Sequence, residues 1–348
     1  MQSVKYRYAE REDKEAILAV LQANAPAIPS EIRSQLFDWQ FGGANPIAHE
    51  HPSFWLCEVD GVVAGVNGLM PIDLRFEGQV LRAIWSCDTL VSDQYRGLGI
   101  GKGLLTQVSK VLPVVLGFGI SDLSDPILAK LGWHPYTGVT THFYYGQEPG
   151  LRGGVKNLIS AMKSLKGKFF RLPPDIKIVM MTDRFGAAHD SLWRRVASDY
   201  DYAVVRNANY LNWRYRDHPV LKYEVHEAWM MDELLGSLVV RYDPHESVIA
   251  DYLGGAQRDD VMLALVRDAV ASLAKRGVAR IRCETSSQAL KRVLRHAGFI
   301  DYPRTSIFRF VVSESLSEKV SDMNWFVMTG DSDNESSQVA KLFERAQR

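Results

Sequence analysis

The sequence predicts an α/β protein of two consecutive domains, each a mixed, mostly antiparallel sheet with helices on both faces. The chain's 348 residues suggest two domains. Strand-like runs flank Asp60-Gly61 and Glu77-Gly78, a pattern typical of hairpins. Apolar residues at helical spacing over 104–112 predict an amphipathic helix. The same order of elements recurs in weaker form in the second half, so both halves are expected to share one architecture.

The order of the elements divides the chain into four segments. We expect a first domain over 1–150, a basic linker helix over 151–175, a second domain over 176–312 and a polar C-terminal tail over 313–348. Val139–Tyr145 is expected to be the strand that closes the first domain, and Ile307–Val312 the last strand of the second.

Composition excludes several classes of protein. Lys and Arg together number 41, as do Asp and Glu, so there is no global attraction to nucleic acid or to anionic membranes. Cys57, Cys87 and Cys283 are isolated, which argues against a disulfide framework and a zinc site. No apolar signal core and no run near the ~20 residues of a transmembrane helix is present. We therefore expect a cytoplasmic protein without a metal.

The linker segment differs from its surroundings. It carries basic residues with no acid between them, and an apolar stripe at helical spacing. The basic residues are Arg152, Lys156, Lys163, Lys166, Lys168 and Arg171, and the stripe is Leu158, Ile159, Met162 and Leu165. One interpretation is a helix packed between domains. The other is a basic amphipathic surface over 151–172 that makes peripheral contact with a membrane or an acidic partner.

A glycine turn follows a strand and opens a helix at Arg96-Gly97-Leu98-Gly99-Ile100-Gly101. Glycines let the backbone approach a ligand, and the free N–H groups of the helix favour a phosphate. A dinucleotide fold would place this turn after an early strand, with an acid about 20 residues on. Here the turn follows several predicted strands, and the next strand ends without a suitable acid, so the pattern does not fit that fold. A nucleotide P-loop needs Gly-Lys-Ser/Thr, and Gly101-Lys102-Gly103 fails that pattern.

Residues 91–101 resemble the acyl-CoA pyrophosphate loop of the GNAT N-acyltransferase family. Arg96, Gly99 and Gly101 fit its signature, and Leu131-Gly132-Trp133 is similar to the end of the family's last helix. The second half resembles the family by order of elements alone, since Asp251–Asp260 lacks the glycine pattern. The resemblance implies two GNAT-like domains in tandem, with a degenerate second copy that binds no CoA.

This resemblance implies acetyl-CoA or another acyl-CoA as co-substrate and an amine as acceptor. The implied CoA-binding residues are Leu90, Val91, Arg96, Gly97, Leu98, Gly99, Ile100, Gly101 and Lys102. In the family, a backbone N–H of the strand around Leu90–Val91 polarises the thioester carbonyl. The implied reaction is direct attack of the amine in a ternary complex.

The catalytic acid or base is where this chain departs from the family. The family's tyrosine position falls at Leu128, and its acidic position near Ala83. The remaining candidates are Asp88, Asp122 and His134. We select Asp88, which lies on the strand directly before the loop, although a structural role stays open. Cys87 as an acylated nucleophile also stays open.

Tyr210, Trp213 and Arg214 share one face of a predicted helix in the second domain. They are either packing residues of a domain interface or an aromatic platform for a sugar or acidic acceptor. We carry them as candidate substrate-binding residues.

The predicted function is therefore N-acyl transfer to a small-molecule amine or an amino sugar. The alternative is an inactive CoA-binding sensor or scaffold protein. Free-thiol release from acetyl-CoA with a panel of amines separates the two.

Overall fold

The computed structural model describes residues 3–48, 53–166, 175–316, 320, 323–333 and 336–347. The strands are, in chain order, β1 Val4–Tyr8, β2 Phe54–Val59, β3 Val62–Phe76, β4 Gln79–Val91, β5 Val114–Ile120, β6 His134–Tyr136, β7 Thr140–Tyr145, β8 Ile176–Met181, β9 Tyr202–Val204, β10 Tyr223–Met230, β11 Glu233–Arg241, β12 Glu246–Gly254, β13 Arg280–Thr285, β14 Ile300–Tyr302, β15 Ile307–Val312 and β16 Trp325–Phe326. The helices are α1 Lys14–Asn24, α2 Ser30–Phe41, α3 Ile100–Val108, α4 Asp125–Lys130, α5 Gly150–Lys166, α6 Ala187–Val196, α7 Ala208–Leu211, α8 Asp259–Lys275, α9 Gln288–His296 and α10 Ser336–Ala346.

Two mixed sheets form the framework, which confirms the predicted fold class. The first runs β1-β2-β3-β4-β5-β15-β6, and β9 and β16 extend it from β3. The second runs β14-β7-β13-β12-β11-β10-β8. Most neighbours are antiparallel; β4 with β5, β12 with β13, and β9 with β16 are parallel. Each sheet therefore contains one parallel pair near its middle, where the strand order departs from simple hairpins.

The two halves of the chain exchange strands. Val139–Tyr145 was expected to close the first domain, but β7 lies in the second sheet between β13 and β14. Ile307–Val312 was expected in the second domain, but β15 lies in the first sheet between β5 and β6. Both strands consist mainly of β-branched and aromatic residues, a composition that fits either sheet. Each sheet is therefore completed by the other half of the chain.

The halves also share a packed interior. Trp39 of α2 donates its indole N–H to the carbonyl of Trp213 at 2.8 Å, and Trp213 donates to the carbonyl of Trp39 at 2.7 Å. Phe308 of β15 contacts the rings of Trp85, Phe118 and Trp325. Aromatic packing on this scale holds the two halves of the chain together.

The C-terminal segment is not the polar tail that its composition predicts. Met323, Trp325, Phe326, Val327 and Met328 are buried. Trp325–Phe326 pairs with β9, and Met328 forms a bridge with Thr285 at the end of β13. An apolar tetrapeptide inside an otherwise polar segment anchors the tail in the interior, because exposing it to water is unfavourable.

Candidate active site

A β-bulge interrupts β4 next to the predicted catalytic residue. Asn67 of β3 lies opposite two residues, Asp88 and Thr89, and Asp88 has a φ of +46°. The buried Asn67 amide donates to Ser86 Oγ at 2.9 Å and to Thr89 Oγ1 at 2.6 Å. Left-handed backbone at a non-glycine residue is strained and is common at functional sites. The bulge changes the direction of β4 just before the glycine loop.

The strands β4 and β5 separate after Trp85 and Leu116, shortly before the bulge. Their parallel pairing covers only Ile84 with Val115 and Trp85 with Leu116, although both strands continue further. A cavity of about 660 Å³ fills the split, lined by 86–90 of β4 and 117–120 of β5. Phe37 and Phe41 of α2 form part of its wall. This volume is in the range that accommodates a small-molecule ligand.

The glycine turn lies where β4 runs into α3, at 96–101. Gly97 and Gly99 have φ values of +86° and +77°, and a Cβ at either position would meet no atom within 4 Å. The first helical bond of α3 runs from the Gly103 N–H to the Gly99 carbonyl, so the preceding amides have no partner within the helix. Open backbone, successive left-handed glycines and a helix N-terminus together fit a diphosphate.

The side chains of the predicted CoA-binding loop are accessible. Arg96, Leu98 and Lys102 are exposed, and Arg96 forms an ion pair with Asp93 at 2.7 Å. Leu90 and Val91 pair with β3 at Val66 and Gly65. The structure thus places the nine predicted residues on one continuous strand, turn and helix start, and of these nine Leu90 lines the cavity.

Three acids, Asp88, Asp333 and Glu344, line the cavity, together with the basic residues Arg33 and Lys341. Burial raises the pKa of Asp88, against the opposing charge of Arg33. Burial, followed by the negative charge of Asp88, raises the pKa of Asp333 to about 7, and Arg214 opposes this shift. A carboxyl with a pKa near the working pH is suited to proton transfer. The arrangement therefore provides a candidate base, with a second acid beside it.

Asp333 comes from the C-terminal segment, for which the sequence predicts no role. The apolar run at 325–328 is the signal that could have indicated it, since a buried anchor there fixes the residues that follow. Arg214 contributes to the fixing, because its guanidinium donates to the carbonyls of Gly330 and Ser332.

Cys87 is a poor nucleophile in this environment. It is buried, and its thiol lies 3.5 Å from the carbonyl of Trp85. Burial raises its pKa well above the usual value, and the charges of Asp333 and Asp88 raise it further. A thiol held protonated attacks thioesters slowly, so this environment argues against the acyl-cysteine alternative.

The other two candidates for the catalytic acid or base lie outside the cavity lining. Asp122 and His134 are exposed and are not among the lining residues. Leu128, at the family's tyrosine position, is buried and lines the cavity with its aliphatic side chain. Gln40 is also buried in the lining, and its amide nitrogen has no hydrogen-bond partner among the described residues. Gln40 thus supplies a donor that a ligand can use.

Tyr210, Trp213 and Arg214 do not form an open platform. All three are buried, and none of them lines the cavity. Trp213 stacks on Trp39 at 5.4 Å between ring centroids, and the guanidinium of Arg214 lies 5.2 Å from the Trp39 ring. The helix also widens at 212–216 into a π-type turn. Their arrangement is that of packing between the two halves, because no face is left for an acceptor.

The second half contains a corresponding split that is closed. β12 and β13 pair through Ile249 and Cys283, and the C-terminal segment enters beyond that point. Ser286 donates its N–H to the Val327 carbonyl at 3.0 Å, and Gly330 lies against the Ala250 carbonyl. The fully buried Arg206 pairs with Asp251 and with Asp331, fixing the segment between the strands.

The loop before α8 is occupied by the protein itself. The Ala256 N–H donates to a carboxylate oxygen of Asp199 at 2.9 Å. Arg258 forms an ion pair with Asp260 at 2.8 Å. The Asp199 carboxylate thus binds a loop amide that an anionic ligand would need. This loop is the one whose sequence lacks the glycine pattern.

Neither a metal site nor a membrane-spanning helix is found among the described residues. No group of His, Cys, Asp and Glu is arranged there to hold a metal ion. None of the helices in the described ranges has the length and apolar character needed to cross a membrane.

Comparison with known proteins agrees with this geometry. Residues 14–118 match the family model for the acetyltransferase (GNAT) family. No curated protein sequence matches the chain. The matched segment covers α1 through most of β5, and thus includes the glycine loop and the split.

Similar solved structures include GNAT proteins of comparable length. A GCN5-related N-acetyltransferase from Anabaena variabilis has a TM-score of 0.63 at 11% identity, covering 88% of this chain and 72% of that one. One from Kribbella flavida has a TM-score of 0.59 at 12% identity, covering 90% and 72%. A tandem GNAT protein from the clavulanic acid biosynthesis pathway has a TM-score of 0.51 at 14% identity, covering 89% and 98%. The chain is thus a tandem protein of the GNAT fold, and its first half matches the GNAT acetyltransferase family in sequence.

Proposed function

We propose that this protein transfers an acyl group from acyl-CoA to an amine, with a single CoA site in its first half. The family match and the fold support acyl transfer in general. The observation that carries the finer proposal is the open split between β4 and β5, with Asp88 and Asp333 in its lining and the glycine turn following β4.

Acyl-CoA is proposed to bind along this split. The amides from Gly97 to Lys102 would hold the diphosphate, and the separated edge of β4 would pair with the pantetheine arm. A β4 backbone N–H near Leu90 would polarise the thioester carbonyl. Acetyl-CoA is the acyl donor that we would test first.

The acceptor is proposed to be a small amine or an amino sugar. Asp88 and Asp333 offer carboxylates that can bind a protonated amine, in a lining that also contains Glu344, Arg33 and Lys341. Phe37 and Phe41 add apolar walls for its carbon skeleton. The amine must be neutral to attack, so proximity to a base is required as well as binding.

We assign the base role to Asp333 and a positioning role to Asp88. The amine nitrogen attacks the thioester carbonyl carbon, a C–N bond forms and the C–S bond breaks. The proton lost by the amine passes to the Asp333 carboxylate and then to the departing CoA thiolate. A pKa of about 7 lets Asp333 accept and return that proton near neutral pH.

A second candidate function is a CoA-binding sensor without turnover. The aliphatic Leu128 at the family's tyrosine position favours it, because no phenol is supplied there to protonate the thiolate. A sensor and an enzyme would bind the same ligand and differ only in whether they transfer its acyl group.

We further propose a cytoplasmic location, because Cys57, Cys87 and Cys283 are all free thiols.

The test is thiol release from acetyl-CoA with a panel of diamines, amino sugars and amino acids. Product masses would identify the acylated amine. We expect release to depend on one acceptor class and to be lost in Asp333→Asn. Tight CoA binding with no turnover on any acceptor would instead establish the sensor function.

A further inference from the structure

Helix α5, Gly150–Lys166, presents an apolar face to solvent. Leu151, Val155, Leu158, Ile159 and Met162 are between 39% and 95% exposed. Their spacing of three and four residues places them on one side of the helix. An exposed apolar stripe of this length is unusual and marks an interaction surface.

The opposite face of α5 carries small and polar residues, and this face packs on the protein. Ser160 is buried and its hydroxyl accepts the Tyr145 N–H at 3.2 Å. Asn157 exchanges hydrogen bonds with the Glu148 backbone. Gly153 allows close approach, because a Cβ there would lie 2.4 Å from the Glu148 carbonyl oxygen. The helix is therefore inverted relative to an ordinary surface helix, whose apolar side faces the core.

Positive charge flanks the apolar stripe. Arg152, Lys156 and Lys163 are exposed on one side of it, and 150–164 contains no Asp or Glu. The Lys156 ammonium lies 4.7 Å from the centre of the Tyr145 ring, so this charge stays close to the protein surface. A basic flank beside an apolar face matches the boundary between anionic headgroups and acyl chains.

We propose that α5 is a membrane-surface helix that attaches the protein to anionic lipid. The stripe enters the acyl boundary while Arg152, Lys156 and Lys163 remain at headgroup level. A second copy of the chain fits this face less well, because an antiparallel two-fold contact would bring the two basic flanks together. The proposal concerns attachment and does not depend on the acyl-transfer activity.

The test is co-sedimentation of the full chain with vesicles of phosphatidylcholine and phosphatidylserine, and of phosphatidylcholine alone. We expect binding to the anionic vesicles that weakens as salt rises. Val155→Glu should reduce it at least about tenfold, because an apolar contact is lost and a repelled charge is gained. Val80→Glu is the matched control, since Val80 and Val155 are both 61% exposed.

Neutralising the flank gives an independent readout. The triple variant Arg152→Gln, Lys156→Gln and Lys163→Gln should bind about a hundredfold more weakly, from a contribution of about fivefold per charge. Light scattering of the protein without lipid tests whether a second copy of the chain covers this face instead. A wild-type protein that ignores anionic vesicles, equal effects of V155E and V80E, or a dimer that V155E dissociates would each overturn the proposal.

Discussion

In each half of the chain a parallel pair of strands separates towards its carboxyl ends. In the first sheet β4 and β5 separate after Trp85 and Leu116, and a cavity lies between them. In the second sheet β12 and β13 remain paired to Ile249 and Cys283, and the C-terminal segment lies between their ends. The same architecture therefore produces an open split in one half and a filled split in the other.

The loops that follow β4 and β12 also differ, because the first is open and the second is occupied by the protein's own groups. In the first half, the amides at the start of α3 lie beside open glycines. In the second, the Ala256 amide is bound to Asp199 and no left-handed glycine pair is present at 254–255. A degenerate copy of a binding site thus acquires internal groups in place of the ligand, which satisfies the polar atoms that a ligand would satisfy.

One segment connects the two halves. The C-terminal segment fills the split of the second sheet through Trp325–Met328, and it ends by placing Asp333 in the cavity of the first. The second half therefore holds the segment that carries Asp333 into the cavity of the first.

The largest expected effect comes from removing the proposed base. Asp333→Asn should lower kcat by about 10²–10⁴-fold, the usual contribution of a general base, with little change in CoA affinity. Because burial raises the folded pKa, raising the pH from about 4 to 7 weakens folding through this group. The Asn variant should therefore be at least as stable as wild type near pH 8. Asp122→Asn, at an exposed position, is the control; equal loss in both variants would contradict the assignment.

The next effect concerns the anchor of the C-terminal segment. Arg206→Ala would leave Asp251 and Asp331 buried without their cation, so we expect the free energy of unfolding to fall by about 3–5 kcal/mol. Burial already raises the pKa of Asp331 to about 6 against the charge of Arg206. Denaturant unfolding measures the loss, with exposed Arg194→Ala as control. A change under about 1 kcal/mol would show that the segment is held by other contacts.

A smaller effect separates the two loops. Leu98→Glu places an acid at the exposed tip of the first loop without changing a glycine, and should weaken CoA binding about 30-fold, or about 2 kcal/mol, by repulsion of the diphosphate. Gln257→Glu adds the same charge at an exposed position of the second loop and should have no effect. Equal weakening by both variants would mean that the second loop also binds CoA.

The smallest effect is the pH dependence of the reaction. Because Asp333 must be ionised to accept a proton, kcat should fall about tenfold per pH unit below an apparent pKa of about 7. The profile is measured with saturating acyl-CoA and acceptor, and D333N should remove its acidic limb. A limb that persists in D333N would assign the titration to another group.

Much of the first site could be predicted from sequence, because its signals are local. The glycine turn at 96–101 and the helix after it depend on residues that adjoin in the chain. The exchange of β7 and β15 could not be predicted, since the β-branched and aromatic composition of each strand fits both sheets. The role of Asp333 depends on the path of the C-terminal segment, and polar composition concealed the short apolar anchor at 325–328. The role of Trp213 and Arg214 could not be predicted either, because it depends on their packing against Trp39, which lies far away in the chain.

We propose that the first half of the chain binds acyl-CoA and that the second half is closed by its own chain. Calorimetric titration of the full chain with CoA tests this proposal most directly, because stoichiometry counts sites without requiring an acceptor. We expect one CoA per chain. Two equivalents per chain, or one equivalent that Q257E abolishes and L98E leaves intact, would contradict it.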